Sequence, residues 1–213
     1  MNAYIFSGLG ADKRAFKYIK FPAHLNIIHI DWIEPHDKEM ITNYALRISQ
    51  DINSKEPFVL IGLSFGGIIC TEIAQILKPS KVILISSVKN KYELPFLYRI
   101  VGFLKLNKLL PKKSSTKVNF ITTWFFGCES HSDKALLKEI IGTSNPSFTI
   151  WAINEIVNWK QTCNDNSFIR IHGDKDRILP IINFTPNYII ANTGHLMIVN
   201  NAEQISEIIC KEI

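Results

Sequence analysis

Short, continuous apolar runs recur along the chain and alternate with stretches that have helical spacing. Six of these runs are strand candidates, at residues 3–6, 26–31, 58–62, 81–86, 168–172 and 188–191. Their apolar residues are largely consecutive, as in strands that helices cover on both faces. Strands that alternate with helices are joined by right-handed crossovers. The pattern therefore predicts an α/β protein with a mostly parallel sheet of about six strands and helices on both faces.

Three stretches between and after these runs have the periodicity of helices. The second of them, residues 66–77, ends before Pro79, which cannot continue a helix. The first and the third place apolar side chains on one face. These side chains are Met40, Ile41, Tyr44, Ala45, Ile48 and Ile52 in the first and Ala202, Ile205, Ile208 and Ile209 in the third. We expect these faces to pack on the sheet.

One connection is far longer than the others. Residues 88–167, 80 positions in all, separate the fourth and fifth predicted strands, whereas a crossover needs only about 10–12 residues. The segment contains several helix-like apolar stretches, among them "VNFITTWFFG" and "SFTIWAINEIVNWK". We therefore predict a core built from residues 1–87 and 168–213, with residues 88–167 inserted after the fourth strand as a helical cap.

Composition and charge narrow the range of partners. Of the 213 residues, 46% are hydrophobic and 20% are charged, which is typical of a globular domain with a sizeable core. The net charge of +5 is interpreted as spread along the chain, and no basic stripe with interleaved aromatic residues indicates nucleic-acid binding. No apolar run approaches the ~20 residues that span a bilayer. The basic run at residues 105–117 is interpreted as a solvated helix face and not as a stable membrane anchor.

The cysteines and the first residues bear on the compartment. Cys70, Cys128, Cys163 and Cys210 lie far apart and form no C-x-x-C pair, which argues against a metal site and favours reduced thiols. The sequence opens with a predicted strand and shows neither the charged nor the long apolar region of a signal peptide. We expect a cytoplasmic protein that uses no metal or other cofactor.

The turn after the first strand admits two kinds of site. Gly8, Leu9 and Gly10 follow the strand directly. Such a turn can hold the pyrophosphate of a dinucleotide, or direct a backbone N–H at the oxyanion of an acyl transfer. A dinucleotide-binding oxidoreductase is the weaker alternative. An acid for the ribose is present 23 residues after Gly8, as Asp31, but the third glycine position of the fingerprint holds Lys13.

A candidate nucleophile follows the third predicted strand. The motif "GLSFGG" places Ser64 within G-x-S-x-G, between Gly62 and Gly66. A serine on a tight strand-to-helix turn is forced toward strained backbone angles, and only small neighbours let the turn close. The turn projects the hydroxyl from the carboxyl edge of the sheet, where the helix that begins near Phe65 supplies backbone N–H donors. A Gly-rich turn without catalytic function has the same local pattern, so the motif needs partners.

Partners for this serine follow the fifth and sixth predicted strands. A serine hydroxyl is a weak nucleophile and needs a base, which in turn needs a carboxylate to orient it. The stretch "IRIHGDKDRILP" offers Asp174 and Asp176, and "YIIANTGHLMIVN" offers His195. All lie just past the carboxyl ends of predicted strands, where such sheets bind ligands. The order serine, acid, histidine is complete with either aspartate.

The motifs "SGLG", "GLSFGG", "HGDKDRILP" and "TGH" together make the chain resemble the α/β-hydrolases over nearly its whole length. The resemblance implies that Ser64 is the nucleophile and His195 the base. In the family pattern H-G-x-x-D-x-x-x-P the acid stands four residues before the proline. By that register the acid is Asp176, before Pro180, and not Asp174.

The resemblance also implies how the charge that develops in the reaction is stabilised. The oxyanion hole would be formed by the backbone N–H groups of Leu9 and Phe65. The sequence departs from the family in two respects. Ser7 stands where a histidine is common, and the usual N-terminal strand hairpin is missing, so we expect a sheet of about six strands.

The expected function is that of a serine hydrolase that cleaves a carboxylic ester of a small to medium-sized apolar substrate through an acyl-enzyme intermediate. Trp124, Phe125 and Phe126 in the inserted segment are predicted to wall the substrate pocket. Other chemistries of the same fold stay open, namely thioester hydrolysis, C–C bond hydrolysis and a hydroxynitrile-lyase-like reaction. The alternative from another class is a small-molecule receptor that keeps the three residues without hydrolysing its ligand.

Overall fold

One parallel sheet forms the centre of the protein. The computed structural model describes residues 1–109, 120–128, 130–142, 145–165 and 167–213. Within them six strands pair in parallel, in the order β2-β1-β3-β4-β5-β6. The strands are β1 (Asn2–Phe6), β2 (Asn26–Ile30), β3 (Phe58–Leu63), β4 (Lys81–Ile85), β5 (Ile169–Gly173) and β6 (Tyr188–Ile190). The prediction of an α/β fold with a parallel sheet of six strands is confirmed.

Eight α-helices connect or follow the strands within the described residues. They are α1 (Ile41–Ile48), α2 (Phe65–Leu77), α3 (Phe96–Phe103), α4 (Phe120–Phe126), α5 (His131–Gly142), α6 (Pro146–Val157), α7 (Met197–Asn200) and α8 (Ala202–Glu212). The predicted apolar faces of α1 and α8 are buried, with one exception. Met40 is exposed, because the backbone is still extended at this residue and the helix begins only at Ile41.

Successive side chains of the strands enter two separate cores on the two faces of the sheet. In β1, Tyr4 and Phe6 belong to the core that contains α1 and α2, whereas Ala3 and Ile5 belong to the core that contains α8. All six residues of β3 are buried. This burial on both faces is the reason that β1 and β3 are apolar at consecutive positions.

The turn at residues 8–10 does not lead into an α-helix. Lys13–Phe16 form a short 3-10 helix, and the Asp12 carboxylate at its start accepts the Arg14 N–H at 2.9 Å. A dinucleotide site places the pyrophosphate at the N-terminus of an α-helix. Because this stretch of the chain forms no α-helix, the dinucleotide alternative loses its structural basis.

The segment between β4 and β5 is helical over most of its described part. It contains α3, α4, α5 and α6, and Phe148 and Ala152 of α6 are buried in the same core as Tyr44 of α1. The last of its helices therefore packs on the core of the sheet. The division into a core and a cap at residues 88 and 167 stays a prediction. Residues 110–117 of the basic run lie outside the described residues.

The four cysteines are free thiols. Among the residues that the structure describes, no group of three or more His, Cys, Asp or Glu side chains is placed to hold a metal ion. Within the same ranges, no helix is long and apolar enough to cross a membrane.

Candidate active site

Ser64 lies on a sharp turn between β3 and α2. Its backbone angles are φ 51° and ψ −117°, in a region that residues with a side chain rarely adopt. β3 ends at Leu63 and α2 begins at Phe65, so this one residue turns the chain from strand to helix. The Ser64 N–H donates to the Ile85 carbonyl oxygen of β4 at 2.9 Å, which ties the strained residue to the neighbouring strand.

Two glycines allow this turn because the backbone passes very close to them. A Cβ atom added to Gly62 would lie 2.5 Å from the backbone nitrogen of Gly67, and one added to Gly66 would lie 2.3 Å from the Phe6 carbonyl oxygen. Both distances are far below van der Waals contact, so a side chain at either position would push α2 away from the sheet. The spacing of G-x-S-x-G thus follows from how tightly α2 packs on β3 and β1.

Ser64, His195 and Asp176 form one continuous chain of hydrogen bonds. The Ser64 Oγ lies 2.8 Å from Nε2 of His195, and Nδ1 of the same ring lies 2.7 Å from Oδ2 of Asp176. The geometry fits a hydroxyl that donates to Nε2 and an Nδ1–H that donates to the carboxylate. Asp174, the alternative acid, is exposed, and its carboxylate accepts the Thr193 N–H at 3.2 Å. The structure therefore brings Asp176 to His195.

The Asp176 carboxylate is buried but fully supplied with donors. Its Oδ1 accepts the backbone N–H groups of Ile178 at 2.8 Å and Leu179 at 2.9 Å. Its Oδ2 contacts His195 and also Nε2 of His172, at 3.1 Å. Burial by itself would raise the pKa of Asp176, but the two histidines outweigh burial and hold this pKa well below its ordinary value. The carboxylate is therefore ionised throughout the neutral range.

His172 supports the acid from inside the protein. The ring is fully buried, and its Nε2 also lies 2.7 Å from the Leu179 carbonyl oxygen. Both neighbours of Nε2 are acceptors, whereas Nδ1 has no hydrogen-bond partner among the described residues. The proton of the ring is therefore placed on Nε2, from which it reaches Asp176 and the loop that carries it.

Two hydroxyls at the end of β4 hold the backbone of the same site, and sequence reasoning missed both. Ser86 Oγ donates to the His195 carbonyl oxygen at 3.1 Å, and Ser87 Oγ donates to the Ser64 carbonyl oxygen at 2.7 Å. Both serines are completely buried. The only signal in the sequence is a pair of hydroxyl side chains directly after a buried strand, which is also a common way for a strand to end.

The turn at residues 8–10 lies beside Ser64 because β1 pairs with β3 in the sheet. A Cβ atom added to Gly8 would lie 3.6 Å from the Cβ of Ser64. Leu9 and Phe65 both line the cavity at Ser64, and neither backbone N–H donates to another of the described residues. Both amides thus lack an acceptor among the described residues.

A cavity of about 400 Å³ extends from Ser64 and His195. Tyr98 is the other polar side chain among the described residues that line it, and its hydroxyl already donates to the Ile178 carbonyl oxygen at 2.9 Å. No charged side chain belongs to the described lining. The remaining wall is apolar and includes Ala15, Leu63, Ile68, Val101, Phe126, Leu137, Ile153, Ile156, Val157, Leu179 and Ile198.

Of the three aromatic residues predicted to wall the pocket, only Phe126 does so among the described lining residues. Its ring lies edge-on to that of His195, at 5.6 Å between centroids. Trp124 and Phe125 are exposed and absent from this lining, so the structure does not support that role for them. Successive residues of a helix point about 100° apart, so three in a row cannot all face one cavity. Trp124 instead packs under the Arg177 guanidinium, 4.4 Å from its ring centroid.

Sequence reasoning also missed the lining residues of α3 and α6. Tyr98 and Val101 are three residues apart in α3, and Ile153, Ile156 and Val157 have spacings of three and four in α6. Such spacings place side chains on one face of a helix. They predict a buried face, but they do not distinguish a face that packs on the core from one that borders a cavity.

Comparisons with known proteins identify the fold of this chain but not its activity. No protein-family model matches the sequence, and no curated protein matches it. Many solved structures match the chain, and the three described below cover 97–100% of it. The chain has the α/β-hydrolase fold, as the resemblance in the sequence implies.

Three of these structures illustrate how varied the named activities are. A lipase-esterase related protein from Clostridium acetobutylicum is 16% identical, with a TM-score of 0.67 over 100% of this chain and 94% of the other. A bromoperoxidase from Bacillus anthracis is 16% identical, with a TM-score of 0.66 over 97% and 89%. A meta-cleavage product hydrolase from Pseudomonas fluorescens is 11% identical, with a TM-score of 0.66 over 100% and 90%. A shared fold does not choose among such activities, so the site must.

Proposed function

We propose that this protein is a serine hydrolase that cleaves a carboxylic ester of a small or medium-sized apolar substrate. The observation that carries the proposal is the hydrogen-bonded chain from Ser64 through His195 to Asp176, with links of 2.8 and 2.7 Å, at the wall of an apolar cavity. A serine hydroxyl reacts with esters only when a base stands within reach and an acid orients that base. Both conditions favour nucleophilic catalysis over a purely structural role for the three residues.

The proposed reaction has two halves. Ser64 Oγ attacks the ester carbonyl carbon while Nε2 of His195 takes the hydroxyl proton, and Asp176 holds the ring with its other proton on Nδ1. The tetrahedral intermediate collapses to an acyl-enzyme when Nε2 returns the proton to the leaving alcohol. Water then attacks the acyl carbon, His195 takes the proton of that water, and the acid leaves as Ser64 regains its own proton.

The negative charge of both tetrahedral intermediates needs donors beside Ser64. We assign this role to the backbone N–H groups of Leu9 and Phe65, which lie at the cavity and have no acceptor among the described residues. An oxyanion-hole donor typically contributes about 3–4 kcal/mol to the transition state. Backbone donors on a turn and at the start of a helix are held in place without any side chain.

The cavity supports a neutral, apolar acyl or alcohol group as substrate. A charged substrate would lose its hydration without a partner, because no charged side chain belongs to the described lining. Each buried methylene contributes about 0.8 kcal/mol, or about a fourfold gain in kcat/KM per carbon. We expect activity on p-nitrophenyl esters to rise from acetate to about butyrate or hexanoate and then to fall when the cavity is full.

Turnover of these esters tests the proposal against a non-hydrolytic receptor. Ser64→Ala should lower kcat on the order of 10⁶-fold, because the variant lacks the nucleophile. Ser80→Ala is the matched control, since Ser80 is exposed at the opposite end of β4 and should keep full activity. Tight binding of the ester without steady turnover in wild type would favour a receptor. Equal activity of Ser64→Ala and wild type would rule out the proposed mechanism.

A further inference from the structure

The outer faces of α3 and α4, with the residues that follow α3, expose many large apolar side chains. Phe103 is 85% exposed, Phe120 82% and Phe96 68%. Half of the sixteen exposed large apolar residues of the described chain lie between residues 94 and 128. We call the following set the apolar-basic face: Phe96, Leu97, Phe103, Leu104, Leu106, Phe120, Trp124 and Phe125, with the exposed cations Arg99 and Lys105. Soluble monomers rarely concentrate exposed apolar side chains in this way.

The positive charge of the protein is concentrated in the same stretch. Residues 94–128 contain six basic residues and no acidic residue, namely Arg99, Lys105, Lys108, Lys112, Lys113 and Lys117. The rest of the chain then has 18 basic and 19 acidic residues, so its net charge is −1 against +5 for the whole. The prediction that the net charge is spread along the chain is therefore wrong. The partner of this stretch is expected to be anionic.

This face lies on the helices that border the cavity. Tyr98 and Val101 of α3 and Phe126 of α4 line the cavity from the inner side. The end of α4 is tied to the loops of the site, since the Leu196 N–H donates to the Phe126 carbonyl oxygen at 3.2 Å and Arg177 donates to that of Trp124 at 2.7 Å. A partner on the apolar-basic face would thus lie about one helix diameter, roughly 10 Å, from the cavity.

We propose that the apolar-basic face docks reversibly on the surface of an anionic phospholipid bilayer. A bilayer surface takes up phenylalanine, leucine and tryptophan side chains and at the same time pairs lysines and arginines with phosphate groups. It is also a reservoir of apolar molecules for the apolar cavity behind α3 and α4, a consequence that rests on the proposed function. Docking of this kind is adsorption by side chains and needs no membrane-spanning helix.

Binding of the full chain to vesicles tests the docking directly. We expect binding to vesicles of phosphatidylcholine with phosphatidylglycerol, little binding to phosphatidylcholine alone, and weaker binding at high salt. Phe103→Ser should lower the partition coefficient at least about tenfold, and Lys105→Ala about fivefold. The matched controls are Ile182→Ser, which removes an apolar side chain that is 72% exposed elsewhere, and Lys55→Ala, which removes an exposed cation elsewhere. Both should bind like wild type.

Fluorescence locates the contact. Vesicles with brominated acyl chains should quench the emission of Trp124 on binding, and Trp124→Phe should lose most of the quenching, because Trp124 is the tryptophan that the structure exposes on this face. Hydrolysis of a short soluble ester should be unchanged in Phe103→Ser, which verifies that the variant is folded. Because vesicle binding needs no turnover, Ser64→Ala should bind like wild type, so the docking stands or falls separately from the proposed hydrolysis.

Three results would overturn the proposal. The first is no binding to anionic vesicles at low salt. The second is an equal loss of binding in Phe103→Ser and Ile182→Ser, which would mean that the apolar-basic face is not the contact. The third is self-association without vesicles that Phe103→Ser abolishes, which would mean that a second copy of the chain covers the face.

Discussion

The residues proposed to do the chemistry are held by backbone contacts and buried polar groups, whereas the wall of the cavity is made by side chains of separate helices. The Ser64 N–H bonds to Ile85 of β4, and its carbonyl oxygen accepts from Ser87. Asp176 is held by two backbone N–H groups and by His172. The Ser64 contacts join β3 to β4 and His172 belongs to β5, whereas the two N–H groups on Asp176 belong to its own loop. The strand order therefore brings the nucleophile and the acid to one edge of the sheet, and the loop after β5 fixes the carboxylate.

The apolar side chains of the cavity wall are not held by hydrogen bonds of this kind. α3 contributes two lining side chains, α4 contributes one and α6 contributes three, and each helix also has residues that are absent from the lining. A change in one wall residue alters the shape of the cavity but leaves the hydrogen bonds at Ser64 in place. Changes at the sheet edge should therefore lower kcat for every substrate, whereas changes in the wall should alter which substrate is preferred.

After the loss of Ser64 itself, the largest expected loss of activity at the sheet edge comes from substitution of the acid, Asp176. Asp176→Asn should lower kcat about 10⁴-fold, because an amide stabilises the wrong tautomer of His195. Asp174→Asn is the matched control, since its exposed carboxylate bonds only to Thr193 among the described residues, and it should cost far less. Steady-state kinetics on one ester would compare the two. Reversed penalties would mean that the acid has been assigned to the wrong aspartate.

Asp176 should also affect the free energy of unfolding at low pH. The pKa of Asp176 is lowered in the folded protein, so its charge stabilises the fold above the unfolded pKa of about 3.9 and this contribution is lost as pH falls below it. The stability advantage of wild type over Asp176→Asn should not shrink from about pH 8 to 5 and should shrink by about 1–2 kcal/mol below about pH 4. Urea unfolding at each pH measures it. An advantage that instead shrinks between pH 8 and 5 would contradict the lowered pKa.

A smaller effect is expected from the hydroxyl that holds the nucleophile. Ser87→Ala removes one of three donors to the Ser64 carbonyl oxygen, which also accepts the Gly67 and Ile68 N–H groups, and we expect kcat to fall up to about tenfold with KM little changed. The rate of covalent labelling by a fluorophosphonate should fall in parallel, because the loss concerns the position of Ser64 and not the cavity. A variant that raises KM and leaves the labelling rate intact would place Ser87 in substrate binding instead.

A substitution in the cavity wall should shift the substrate preference and should not lower the activity on every substrate. Ile153→Ala enlarges the cavity from α6, so the preferred acyl chain should lengthen by one or two carbons, with about a fourfold change in kcat/KM per methylene. Phe125→Ala is the matched control, because Phe125 is exposed and should leave the profile of the ester series unchanged. Equal shifts in the two variants, or no shift in Ile153→Ala, would mean that the cavity wall does not determine the preferred substrate.

The contrast between the two regions also explains what could be predicted from sequence. Ser64, Asp176 and His195 stand in short motifs directly after strands, and each motif has a backbone reason for its spacing. The central strands β1, β3 and β4 could be predicted from their apolar runs because they are buried on both faces. The acid could be chosen over Asp174 only from the resemblance, since both aspartates follow the same strand.

The remaining features depend on tertiary packing. The rotation of α4 against the loop after β6 decides which of Trp124, Phe125 and Phe126 faces the cavity. A run of three aromatic residues in the sequence does not indicate this rotation. The hydroxyls of Ser86 and Ser87 acquire their role only when β4 is placed beside β3 and β5. Met40 has an apolar side chain at the right spacing, but the helix begins one residue later.

The most direct test of the central claim is covalent labelling of the native protein with a fluorophosphonate, followed by mass mapping of the modified peptide. The account predicts one label per chain, on Ser64, which is lost in Ser64→Ala, strongly slowed in Asp176→Asn and retained in Ser80→Ala. A folded protein that takes up no label, or a label that maps to a serine other than Ser64, would contradict it.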